Sequence, residues 1–163
     1  MRAFVRINLL WILIAFVGDT MVGPMVSFKG VRPDFSIIAL VVLGLAAGSL
    51  PATVGGFVLG LVQDLANPAL LGLQALCKTW LGFGLGRLRG RLVYGMPLVE
   101  GVVILLAVLA HDLVFLLVQS RLGDEAFLVP FVTQALPTAL YSGLVGVPVV
   151  RLAALAGILK PED

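Results

Sequence analysis

Apolar residues fill this chain in long continuous blocks, and polar residues are confined to the short turns between them. The first block runs from about Phe4 to Pro24 and meets the turn Ser27-Phe28-Lys29-Gly30-Val31-Arg32-Pro33-Asp34. A second extends from Phe35 to Leu65 and is broken only at Ser49-Leu50-Pro51. One straight helix of that length would reach about 46 Å, against a hydrocarbon core of about 30 Å, so the stretch is expected to fold back as a short helical hairpin. Its two halves would either thin the bilayer locally or form a re-entrant pair packed within protein. After the turn Ala66-Asn67-Pro68-Ala69, the block Leu70 to Leu88 ends in Arg87-Leu88-Arg89-Gly90-Arg91. Leu98 to Val118 follows, then the mixed turn Gln119 to Glu125. The last block begins near Phe127 and contains Pro130, Pro137 and Pro148, which predicts a kinked helix. The blocks lack the alternation of barrel strands, so the pattern predicts an all-α integral membrane protein of six membrane segments, with segments 2 and 3 as the hairpin.

Composition agrees with that reading and narrows it. Of 163 residues, 60% are hydrophobic and only 12% are charged, where a soluble domain carries about one quarter. The whole chain, residues 1–163, then reads as a single polytopic membrane domain with the lipid bilayer as its solvent. A net charge of +2 is no sign of nucleic-acid binding, because the basic residues sit at segment edges. With a cytoplasmic N-terminus, one side collects Arg2, Arg6, Arg87, Arg89, Arg91, Arg151 and Lys160, and the other only Lys29, Arg32 and Arg121. That bias predicts both termini in the cytoplasm, with Arg87, Arg89 and Arg91 as the main topology determinants. Arg2 and Arg6 before Ile7 to Val17 imitate a signal peptide, but Phe16-Val17-Gly18-Asp19 is a poor cleavage site and the segment is expected to be retained.

Candidate chemistry is sparse. The single cysteine, Cys77, excludes an intramolecular disulfide, and one histidine with one cysteine supplies no metal-ligand spacing. Phosphate-binding, zinc-protease and serine-hydrolase motifs are missing, so neither a cofactor nor an enzymatic activity is expected.

What stands out is a set of ionisable groups inside apolar blocks: Asp19, Asp64, Lys78, His111 and Asp112, joined at similar depth by Gln74 and Gln134. Such groups are costly in lipid and mark a functional site by default. Gln74 and Lys78 are four residues apart and share a helical face. Lys78 is expected to pair with a carboxylate, Asp64 or Asp112 being best placed. The cluster could pin helices together, form an outward-facing pocket for a small ligand, or serve an ion path. Glu100, near the inner edge, is expected to meet the arginine cluster. Glycines at four-residue spacing, Gly44 and Gly48, Gly56 and Gly60, Gly82 and Gly86, allow close helix approach. They could serve internal packing, or Gly82 and Gly86 could receive the transmembrane helix of a partner.

Three stretches in this order, Gly55-Gly56-Phe57-Val58-Leu59-Gly60-Leu61-Val62-Gln63-Asp64, Leu71-Gly72-Leu73-Gln74-Ala75-Leu76 and Gly82-Phe83-Gly84-Leu85-Gly86-Arg87, together with Arg32-Pro33-Asp34 before the second segment, resemble the bacterial rod shape-determining protein MreD family. Asp64 and Gly72 match the family's aspartate-to-glycine pattern, while Gln74 stands where members often carry histidine. The resemblance implies a non-enzymatic subunit of the cell-elongation machinery in the bacterial cytoplasmic membrane. Its implied partner is MreC and, through MreC, the peptidoglycan glycosyltransferase and transpeptidase and the cytoskeletal MreB. The family is also similar to the substrate-binding subunits of energy-coupling-factor transporters, which makes a small-molecule-binding subunit of a vitamin-type transporter the alternative.

Overall fold

A computed structural model gives the fold, and it describes residues 9, 12–28, 30–66, 68–91, 96–122 and 126–155. Among these residues the chain forms six helices: α1, Ile12–Met25; α2, Phe35–Ala47; α3, Ser49–Asp64; α4, Leu73–Arg87; α5, Pro97–Leu122; and α6, Leu128–Leu155. Two of them, α5 and α6, are long and apolar enough to cross a membrane by themselves. The turn bearing Arg87, Arg89 and Arg91 marks one end of the bundle, called here the arginine end; the opposite end is the far end. Arg2, Arg6, Lys29, Asp124, Glu125 and Lys160 lie outside the described residues.

The helix α2 is the core. Every residue from Ser36 to Leu45 is buried, which follows from a sequence that is apolar on all faces and so gains by contact on all of them. It starts at Asp34, whose carboxylate accepts the backbone N–H of Ile37, and ends at Gly48 with φ of 90°. Only glycine takes that conformation without strain, so the hairpin turns one residue before the expected Ser49-Leu50-Pro51, and Pro51 falls within the first turn of α3, where it disturbs little. The ends of α2 and α3 meet again at Gln63 and Ser36, so the pair runs antiparallel along its whole length.

The helices α3 and α4 touch backbone to backbone. A methyl group at Gly56 would strike the Lys78 carbonyl, at Gly60 the Ala75 backbone, at Gly82 the Ala52 carbonyl, and at Gly86 the Ser49 backbone. Gly44 of α2 adds a looser approach, where an added methyl would lie 3.0 Å from Leu85 Cβ. All of these contacts are within the chain, so Gly82 and Gly86 are packed against α3 from within. The physical reason is adjacency: two glycine rows joined by a short turn meet each other first.

The helices α1 and α6 each contain one π turn, Gly18–Val22 and Phe131–Ala135. In both cases the turn lies just before a proline, Pro24 and Pro137, and the residue preceding the proline donates to the carbonyl five residues back. Four residues before each proline stands a threonine, Thr20 or Thr133, whose hydroxyl donates to Phe16 or Val129. Widening the turn moves the threonine carbonyl away from the proline ring, so each helix continues where a regular turn would clash.

At the arginine end, Arg151 Nε meets Glu100 Oε2 at 3.2 Å, linking α6 to α5, and Arg87 lies 4.5 Å above the Phe83 ring.

Candidate functional site

The site is built where the far ends of α2, α3 and α4 meet α1 and α5. Asp64, the last residue of α3, is 1% exposed and accepts three backbone N–H groups, from Gly72, Gln74 and Ala75, at 2.9–3.0 Å. These are donors that the start of α4 would otherwise leave without partners. Gly72 has a φ of 95° and no side chain with which to cap the helix, so the cap comes from across the turn.

Beside this cap runs a continuous hydrogen-bonded chain. Asp19, in the π turn of α1, accepts Phe35 N at 3.0 Å with one oxygen and Gln63 Nε2 at 3.1 Å with the other. Gln63 also donates to Ser36 Oγ, which in turn donates to Asp34 at 2.6 Å. The Asp34 N–H donates to Ser142 of α6. From the Gln63 carbonyl oxygen the chain continues to Lys78 Nζ at 2.6 Å, from Lys78 to Gln74 Oε1 at 3.3 Å, then to His111 Nε2 at 2.9 Å. His111 Nδ1 completes it on Asp112 Oδ1 at 2.9 Å. Lys78 is 1% exposed and His111 4%, and the His111 ring stacks on Phe115.

Of the residues singled out in the sequence, Asp19, Gln74, Lys78, His111 and Asp112 are joined in this chain, and Asp64 adjoins it through Gln74 N. Gln134 stands apart: it lies in the π turn of α6, is exposed, and its side chain bonds to none of the described residues. Depth alone does not fix helical face, and the extra residue of the π turn rotates that face further. The expected partner of Lys78 is also different. Asp64 is committed to the start of α4 and Asp112 to His111, so two amide oxygens hold the ammonium, while Asp19 and Asp34 act on it at longer range. Asp34, Ser36, Gln63 and Ser142 were not among the candidate site residues, although Asp34 and Gln63 fall in stretches that carry the family resemblance. Asp34 and Gln63 sit at segment edges, where hydropathy carries no signal.

Two grooves flank the chain. One, of about 330 Å³ between α1 and α3, has apolar walls and Asp19, Thr20 and Gln63 at one end. The other, of about 290 Å³, separates α4 from α5. No group of three or more His, Cys, Asp or Glu side chains among the described residues could hold a metal ion.

Two helices long and apolar enough to cross a membrane, in a bundle whose polar side chains bind one another across its helices, are consistent with a membrane protein. No curated protein and no solved structure matches the chain at a significant level. The model of one family, described as rod shape-determining protein MreD, matches residues 1–154, and the chain belongs to that family.

Proposed function

We propose that this protein is a non-enzymatic, multi-pass subunit of the rod-shape complex in the bacterial cytoplasmic membrane, with both termini in the cytoplasm. In this reading it binds MreC and helps couple peptidoglycan synthesis to MreB. Membership of a rod shape-determining family supports the role, and the distribution of arginines supports the orientation. The observation that carries a scaffold reading is the way the polar residues are used: the side chains from Asp19 to Asp112 bind one another and neighbouring backbone, across five helices. Such a network makes a rigid body with lipid-facing sides, suited to holding a partner's transmembrane helix. With Gly82 and Gly86 filled from within, the partner binds on another face.

A second reading, a small-molecule-binding subunit of a vitamin-type transporter, draws on the groove between α1 and α3, whose apolar walls end at Asp19, Thr20 and Gln63. One experiment separates the two. The protein is solubilised in mild detergent, purified, and its companions and bound small molecules are identified by mass spectrometry. MreC without a small molecule is the expected result; a vitamin-like compound with a transport module would support the alternative.

A further inference from the structure

Both ring nitrogens of His111 face oxygens: Nδ1 lies 2.9 Å from Asp112 Oδ1 and Nε2 lies 2.9 Å from Gln74 Oε1. A neutral imidazole has one N–H and one lone pair, so it satisfies one of these acceptors and turns a lone pair on the other. Rotating the Gln74 amide would offer the ring a donor. The same amide oxygen, however, receives Lys78 Nζ at 3.3 Å, and rotation would set two donors against each other. With Asp112 as a carboxylate, it takes a doubly protonated ring to meet both oxygens while Lys78 keeps both of its amide partners.

We propose that His111 is the latch of the seam between α4 and α5: as an imidazolium it joins Gln74 to Asp112 and shuts the seam, and loss of one ring proton loosens it. The seam is thin at this level. A groove of about 290 Å³ opens between the two helices, lined by Leu76, Cys77, Trp80, Ala110, His111 and Val114, with Trp80 70% exposed. When the ring is neutral beside a carboxylate, either the Asp112 bond or the Gln74 bond is lost, or Gln74 turns and leaves Lys78 with Gln63 alone. The charged and titratable groups that meet the ring directly or through the hydrogen-bonded chain and its groove are Asp112 on α5, Lys78 and Cys77 on α4, Asp34 at the head of α2 and, further along, Asp64 at the end of α3 and Asp19 on α1. The described charge on α6, Arg151, lies at the arginine end with Glu100. The latch thus couples the protonation of one side chain to the hydrogen bonding of five helices.

His111 is the sole histidine and Cys77 the sole cysteine, which makes the test direct. The protein, carrying a histidine-free affinity tag and ¹⁵N-labelled histidine, is placed in lipid nanodiscs. Imidazole nitrogen spectra and the rate of Cys77 modification by N-ethylmaleimide are followed from about pH 5 to about pH 9, the range in which histidine charge changes are commonly found. The expected result is slow labelling wherever both ring nitrogens carry protons. At the pH where the ring becomes neutral, labelling rises about tenfold beyond the increase due to thiol ionisation, the population shift that one hydrogen bond to a charged group supports. Asp112→Asn supplies an amide donor that suits a neutral ring, so its labelling should follow thiol ionisation alone. Gln74→Glu keeps an acceptor for both Lys78 and His111, and should hold the ring doubly protonated and Cys77 protected through the wild-type transition. A neutral ring in the wild type while Cys77 is protected overturns the proposal. So does a Gln74→Glu protein that labels like the wild type, and this arm stands even if Asp112→Asn does not fold.

Discussion

Carboxylates that hold backbone matter more here than those that merely carry charge. Asp64 accepts three N–H groups at the start of α4 while almost fully buried, and each hydrogen bond to a charged group contributes about 1.5–3 kcal/mol. Asp64→Ala is therefore expected to lower unfolding stability by at least about 2 kcal/mol in detergent, read by thermal unfolding, with Asp64→Asn intermediate because its amide oxygen still accepts. A cost for Asp64→Ala below about 0.5 kcal/mol, the range of an ordinary surface change, would refute the capping role. Lys78→Met leaves the half-buried Gln63 amide oxygen without its donor and takes one of two partners from that of Gln74, whereas Arg121 is exposed near the end of α5. Lys78→Met should cost about 1–3 kcal/mol and Arg121→Met almost nothing, as the two melting temperatures will show. Asp19, Asp64, Lys78, His111 and Asp112 were legible in the sequence because charge inside an apolar run is conspicuous. Gln63, the residue that joins α1 to Lys78, was not: a neutral amide near the end of a block looks like an edge residue, and only the return of α3 beside α2 makes it central.

Among the elements, the pair α3 and α4 invites the sharpest test, since it contains its own control. Gly82 and Gly56 each face the other helix's carbonyl, whereas Gly84, two residues from Gly82, faces open space. Gly82→Ala and Gly56→Ala should each destabilise by about 1–3 kcal/mol through overpacking. Gly84→Ala should be neutral or stabilise by about 0.5–1 kcal/mol, because alanine is the better residue in a helix interior. Equal effects at the three positions, measured by thermal unfolding, would rule out the seam. The hairpin of segments 2 and 3 could be foreseen from length alone, and the glycine spacing could be read directly. Which glycine row meets which is a tertiary fact that spacing cannot express. The π turns were hidden for a related reason: a proline in an apolar block signals a break, and the neighbouring threonine that shares in the alternative geometry is too common to be noticed.

At the scale of the whole molecule, the arginine bias predicts that reporter fusions after Arg91 and after Gly123 report opposite compartments; the same compartment for both would overturn the topology. The glycine seam has a mechanical consequence. Where backbone meets backbone there are no side chains between the helices to rotate and absorb a displacement, so α3 and α4 should move as a single plate. The helix α1 is pinned to that plate by the bond from Gln63 to Asp19, and α5 by the bond between Gln74 and His111. A push on α1 is then delivered to α5 through Gln63, Lys78 and Gln74, with neither α3 nor α4 bending. Spin-label distances between α3 and α4 should stay fixed across conditions that alter those from α1 to α5, and Gln63→Leu should make α1 and α5 shift independently. The plate passes the load from one helix to the other, and it enters and leaves through a pair of amide side chains at the far end.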